Sequence, residues 1–129
     1  LMPKPSLVDR VLRSNGEVLY QYQPKMLKRL VRPDTSWSLL QMMEATTTIG
    51  TSRKEFTHSK RQLMPGVDVA AKTGTLKGTN PLGLNNWFIA TAPIDQPRIA
   101  VSVIVVDPKG LSTKASHIGR LVIQKYLGR

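Results

Sequence analysis

Val67-Asp68-Val69-Ala70-Ala71-Lys72-Thr73-Gly74-Thr75 is the stretch on which the fold of this chain turns. Pro65-Gly66, just ahead of it, is a turn signal. After the turn, Val67, Val69 and Ala71 alternate with Asp68, Ala70 and Lys72. That period of two predicts a short strand running into Lys72-Thr73-Gly74-Thr75. Each of those residue types can serve chemistry. A lysine ammonium sets positive charge beside a reacting centre and can orient a hydroxyl or a carboxylate. Glycine at position 74 removes a side chain, so a second backbone can approach the strand. The hydroxyls of Thr73 and Thr75 can bind a carboxylate oxygen. The Thr75 N–H can stabilise an oxyanion, and one such donor is typically worth about 3–4 kcal/mol. Taken alone, the four residues are read first as an edge strand whose surface lysine guards it against pairing with other chains.

Downstream, residues 78–83 contain Asn80-Pro81 and read as a loop. The whole segment 76–86 is then a wall of a groove, with Lys77 either touching a ligand or solvated. Residues 87–92 form a second strand that stops at Pro93. Asp95-Gln96-Pro97 is a short connection to a third strand over residues 98–106, so the two strands are antiparallel neighbours. In that strand Ile99, Val101, Val103 and Val105 share one face, and Ala100, Ile104 and Val106 share the other with Ser102. Apolar residues on both faces predict cover above and below the sheet. A helix over residues 112–127 carries Ala115, Ile118, Leu121, Val122 and Tyr126 as one apolar stripe and is the natural cover for one face.

Upstream, Ser14-Asn15-Gly16 supplies the positive φ of a tight turn, which makes residues 7–22 a hairpin. Pro33-Asp34-Thr35-Ser36 starts a helix, with Asp34 or Ser36 as its cap. Leu39, Leu40, Met42, Met43 and Ile49 give it an apolar face, the threonines 46–48 weaken its end, and Gly50 stops it. Residues 51–61 are polar and basic and read as an exposed loop. The sum is an α+β layer structure, an antiparallel sheet with a C-terminal helix packed on one face.

The chain has 129 residues, 40% of them hydrophobic and 21% charged, which suits one folded domain with a modest core. No run approaches the ~20 apolar residues of a membrane-spanning helix. Cysteine is absent, which removes disulfides, thiolate nucleophiles and zinc–cysteine sites. The acids are dispersed and no metal ligand set is visible, so neither a metal nor a cofactor is expected. His58 and His117 read as surface or cap residues. The net charge of +11 favours anionic partners. Its basic clusters, such as Lys25, Lys28, Arg29 and Arg32, lack interleaved aromatics, and a solvated basic surface is the reading taken, with no nucleic acid as partner.

Lys72-Thr73-Gly74-Thr75 resembles the third motif of the penicillin-binding proteins and serine β-lactamases, which combine it with Ser-x-x-Lys and Ser-x-Asn. The flanks resemble the penicillin-binding branch. Val67 to Ala71 leads into the motif as that family's strand does, with Ala71 where glycine is usual. Asn86-Trp87-Phe88-Ile89 and Ala92-Pro93 resemble its next strand, with Ala90 again in place of glycine. Pro97-Arg98-Ile99-Ala100-Val101 resembles the opening of its last strand. Met42-Met43, Gly50-Thr51 and Pro5-Ser6-Leu7-Val8 resemble segments that precede the motif, in the family's order.

The resemblance implies the C-terminal portion of a β-lactamase/transpeptidase-like fold, with residues 1–129 lying within one transpeptidase domain. It implies peptidoglycan D,D-transpeptidation: a serine attacks the penultimate D-alanine carbonyl of a D-Ala-D-Ala stem, and the acyl group passes to an amine of another stem. Penicillins acylate the same serine. By that likeness Lys72 and Thr75 are catalytic, and Thr73, Gly74, Thr75 and Trp87 bind substrate, as an added strand along residues 71–75. From the residues themselves, Trp87 either lines the cleft or packs in the core. The expected partners are peptidoglycan stem peptides and β-lactams, at the periplasmic or extracytoplasmic face of a bacterial inner membrane.

No serine here is followed three places on by lysine, and no Ser-x-Asn occurs. The nucleophile is therefore expected on polypeptide before Leu1, and this chain alone is expected to be inactive. The opening Leu1-Met2-Pro3-Lys4-Pro5 reads as a start inside a longer chain, with any membrane anchor upstream. The chain is then one piece of a split enzyme, completed by the upstream part as a second chain, or a fragment with an incomplete core. Two alternatives stand beside this: a segment of a serine β-lactamase or β-lactam sensor, and a basic module binding an anionic polymer.

Overall fold

The computed structural model describes residues 3–80, 82–107 and 112–128. The chain forms two compact units, Leu1–Ser36 and Trp37–Arg129. In the first, β1 (Arg10–Leu12) and β2 (Val18–Gln21) pair antiparallel, with Val11 opposite Tyr20. Their turn follows from Asn15 and Gly16, as the sequence predicts. Gly16 takes a φ of +85°, and the Glu17 N–H donates to Asn15 Oδ1 at 3.0 Å.

Helix α1 (Pro33–Thr48) starts on a proline, which needs no N–H partner in a first turn. It stops at Gly50, as predicted. The Gly50 N–H closes on Ala45 O at 2.7 Å, and a Cβ there would stand 2.9 Å from that same oxygen. The threonines expected to weaken this end are instead part of the helix. Thr48 Oγ1 donates back to Glu44 O at 3.1 Å, and the one Thr47 hydroxyl proton is shared between Glu44 O at 3.0 Å and Val69 O at 2.9 Å, which satisfies the hydroxyls without unwinding the turn. The predicted apolar face is also corrected. Leu39, Met42 and Ile49 are exposed, and Thr47 is the buried residue of the helix.

Residues 51–61 are not a plain loop. They form α2 (Arg53–Phe56) and a small hairpin of β3 (Thr57–His58) and β4 (Arg61–Gln62), turned by positive φ at Ser59 and Lys60. The reason is one apolar residue among basic ones. Phe56 is buried, and its ring centroid lies 6.2 Å from that of Phe88.

The main sheet has the order β5-β6-β7, antiparallel throughout: β5 (Ala70–Thr79), β6 (Leu82–Ala92) and β7 (Ile99–Asp107). The expected loop over 76–86 is corrected here. Pairing continues without a shift from Ala70↔Thr91 to Thr79↔Leu82, so both strands run through it as one long hairpin. Polar and glycine residues signalled a loop, and the cross-strand ladder overrides them.

Helix α3 (Ala115–Tyr126) covers one face of the sheet. Register places Ala71, Thr73 and Thr75 on that face with Asn86, Phe88 and Ala90 and with Val101, Val103 and Val105. The other face carries Lys72, Gly74, Trp87, Ile89, Ser102, Ile104 and Val106, and it is open among the described residues. Trp87 is 43% exposed and Ile89 48%. Among the described residues the strand over 99–106 is thus covered on one side only, and Trp87 lies outside the core that this chain builds.

The apolar stripe expected on α3 is corrected in part. Ala115 is buried as expected, but Leu121, Val122 and Tyr126 are exposed, while Ser116, Gly119, Arg120 and Ile123 are buried. The cause is Phe88, fully buried on the sheet. A Cβ on Gly119 would lie 2.4 Å from Phe88 Cδ1, so the helix must present a glycine to let the ring in. Gly119→Ala therefore forces Phe88 out of place, at a cost of about 1–3 kcal/mol. Urea unfolding should show a lower midpoint. In an open helix position the same change would stabilise by about 1 kcal/mol, so a raised midpoint would contradict this packing.

Candidate active site

Lys72, Thr73, Gly74 and Thr75 occupy the middle of β5, which pairs with β6 on one side only. Among the described residues its other edge is unpaired. Lys72 stands opposite Ile89, Gly74 opposite Trp87, and Thr75 opposite Asn86. The pleat therefore divides the motif. Lys72 and Gly74 lie on the open face with Trp87, and the two threonines lie on the face that carries the helices.

Lys72 is exposed, and its ammonium donates to Thr73 O at 2.6 Å. Thr73 Oγ1 shares a 2.8 Å hydrogen bond with Thr51 Oγ1. Thr75 Oγ1 accepts from Asn86 Nδ2 at 3.1 Å, and the same amide donates to Gly74 O at 3.3 Å. A Cβ placed on Gly74 would meet only Trp87 Cβ, at an ordinary 3.6 Å. The fold itself does not demand glycine at this position.

The segment before β5 is tied to the end of α1. Thr47 Oγ1 lies 2.9 Å from Val69 O in a buried contact. Beyond it, residues 50–51 fold back against the strand. Ala45, Thr46, Ile49, Gly50, Thr51, Lys72 and Thr73 line an open cleft of about 430 Å³. Thr51 and Asn86 are thus site residues that sequence reasoning did not single out. The Gly50-Thr51 pair carried a signal by its place before the motif strand. Asn86 carried only the oddity of an amide next to Trp87-Phe88.

The remaining polar residues lie elsewhere. His117 Nδ1 and Lys114 Nζ both reach the Glu55 carboxylate, at 3.2 and 3.6 Å, and join α2 to α3. His58 is exposed in β3. Lys77, on the extended part of β5, is also exposed. Among the described residues no three acidic or histidine side chains gather as a metal site, and no helix is long and apolar enough to cross a membrane.

The family model described as the penicillin binding protein transpeptidase domain matches residues 1–124. The chain belongs to the penicillin-binding protein transpeptidase family. A peptidoglycan D,D-transpeptidase PbpA of Mycolicibacterium smegmatis is 30% identical over 107 residues, 81% of this chain and 20% of that protein. The peptidoglycan D,D-transpeptidase MrdA of Haemophilus influenzae is 34% identical over 94 residues, 62% of this chain and 14% of that protein. Among solved structures, the imipenem acyl-enzyme complex of penicillin-binding protein A from M. tuberculosis superposes with a TM-score of 0.69. It is 28% identical, over 97% of this chain and 26% of that one. The D,D-transpeptidase domain of a peptidoglycan glycosyltransferase from Eggerthella lenta gives 0.68 at 27% identity, over 93% of this chain and 26% of that one. The transpeptidase segment described here spans about a fifth of the curated relative from M. smegmatis.

Two hydroxyl contacts brace the transpeptidase strand, and burial separates their weights. Thr47→Val leaves Val69 O without its buried partner and should cost about 1–3 kcal/mol. Thr51→Val breaks an exposed contact that water can replace, and should cost under about 1 kcal/mol. Urea midpoints of the two variants should fall in that order. The reverse order would show that α1 is not held to the strand through Thr47.

Proposed function

We propose that this chain is the C-terminal portion of one peptidoglycan D,D-transpeptidase domain, and that it supplies the strand along which the D-Ala-D-Ala stem peptide is held. The observation that carries this reading is β5 itself. Lys-Thr-Gly-Thr lies on a strand whose outer edge is unpaired among the described residues, beside a cleft lined by Lys72, Thr73 and Thr51. An extended peptide can add to such an edge, with main-chain hydrogen bonds giving affinity.

The chemistry follows from the placements. Gly74 is a glycine that the fold does not need, so the space above it serves a ligand that must approach the backbone. Lys72 adds positive potential for the terminal carboxylate of the stem and helps orient the serine of the Ser-x-Asn motif. Thr73 and Thr75 offer hydroxyls to that carboxylate, and the Thr75 N–H forms half of the oxyanion hole. Trp87, next to Gly74 on the open face, borders the bound peptide. β-Lactams enter the same place.

The nucleophile comes from the upstream part of the protein, which carries Ser-x-x-Lys and Ser-x-Asn. That part also covers the open face of the sheet. Ile89, Ile104 and Val106 are each between 41% and 48% exposed there, and burying such side chains is favourable by roughly 25 cal/mol per Å². The complete protein works at the extracytoplasmic face of the bacterial membrane, held by an upstream anchor, and this chain alone does not turn over.

The test uses the full-length protein and its second-order rate of acylation by benzylpenicillin. Lys72→Ala should lower that rate by about a hundredfold or more, the scale typical of removing an electrostatic group from such a site. Gly74→Ala separates ligand from fold. It should leave stability unchanged or raise it by about 0.4–1 kcal/mol, because alanine restricts the unfolded chain. It should still lower acylation at least about tenfold, through a clash with the bound ligand. Full acylation by both variants would contradict the assignment of β5 as the ligand strand.

A further inference from the structure

Asn86 is the buried polar residue nearest the motif, at 8% exposure, and its amide is fully used. Nδ2 donates to Thr75 Oγ1 at 3.1 Å and to Gly74 O at 3.3 Å. Oδ1 accepts from the Ala115 N–H at 2.8 Å. These partners fix which end is which. Flipped, the amide would set an oxygen against the Gly74 carbonyl and an NH₂ against the Ala115 N–H.

Two consequences follow. Ala115 is the first residue of α3, and the residue before it, Lys114, provides no side-chain cap. Asn86 caps the helix from across the fold and so ties α3 to the transpeptidase strand. At the other end of the amide, Thr75 must accept. A hydroxyl has one proton, and with Asn86 donating into its oxygen that proton is left for another partner. Thr75 is exposed at the unpaired edge of β5. The residue pair thus presents an O–H donor to whatever lies along that edge, which suits a carboxylate and disfavours a group that can only donate.

We propose that Asn86 is a positioning residue for the transpeptidase reaction: by donating to Thr75 Oγ1 it commits the Thr75 hydroxyl to donate to the substrate carboxylate. This rests on the reading of β5 as the ligand strand. Asn86 does not touch the ligand and acts through Thr75 and the Gly74 carbonyl. Its effect is therefore specific to ligands that carry the carboxylate.

The test again uses the full-length protein, with benzylpenicillin and its methyl ester as paired probes. Asn86→Asp keeps the size and the acceptor for Ala115 N–H. Its carboxylate turns the Thr75 proton inward, because it can only accept. Acylation by benzylpenicillin should fall about tenfold or more, the scale of one hydrogen bond to a charged group. Acylation by the methyl ester should change less than about twofold, since an ester carbonyl gains far less from the same donor. Asn86→Ala, which adds no charge, should give the same acid-selective loss at smaller size, and it provides a second reading if the aspartate variant does not fold. Thr75→Val should show the acid-selective loss too. Combining it with Asn86→Asp should add little, because both act through one hydroxyl. Equal losses on acid and ester, or losses that add fully to those of Thr75→Val, would overturn the proposal and leave Asn86 as a structural cap. A wild-type protein that neither probe acylates would instead overturn the transpeptidase reading on which the proposal rests.

Discussion

The second unit is organised around the Phe88 ring seated on the Gly119 backbone. Phe88 is fully buried in the central strand of the sheet, and the helix can approach it only because residue 119 has no side chain. That contact sets the height of α3 above β6. From it the rest follows in order. Phe56 packs on the same ring and anchors the basic segment as a short helix. Ile123 buries one turn further on. The start of α3 falls where the Ala115 N–H reaches Asn86. The transpeptidase strand is held on its inner side by a helix whose position a single aromatic side chain dictates.

The strand pleat gives the site two sides with different duties. On the open face stand the charge of Lys72 and the indole of Trp87. On the helix face the two threonine hydroxyls are already engaged, one by Thr51 and the other by Asn86. Holding short hydroxyls in fixed rotamers is a form of preorganisation, since a ligand then meets donors that need not be reordered. The strand backbone lies between these faces, with its outer edge unpaired among the described residues.

Much of this was legible in the sequence where a local rule decided the outcome. Asn15-Gly16 dictated a turn, Gly50 ended a helix, and alternation placed Lys-Thr-Gly-Thr on a strand beside antiparallel neighbours. What escaped depended on distant contacts. Leu121 and Val122 have the better helical spacing, but Phe88 selects the face that carries Gly119. Gly78 and Gly83 carry loop chemistry, but the ladder between β5 and β6 pairs them with each other. The apolar residues on both faces of β7 announced two layers of cover, and this chain contributes one. Asn86 was invisible as a site residue because its meaning lies in a bond to a helix start 29 residues away.

The central claim is that this chain carries the strand that holds the acylated ligand and not the serine that is acylated. The most direct measurement is to digest the full-length protein after reaction with benzylpenicillin and to locate the penicilloyl group by mass spectrometry. The expected result is one adduct on a serine outside residues 1–129, with every serine of this chain unmodified. An adduct on a serine within the chain, Ser52 or Ser59 for example, would contradict the account, since the nucleophile would then sit within the segment that is held only to bind.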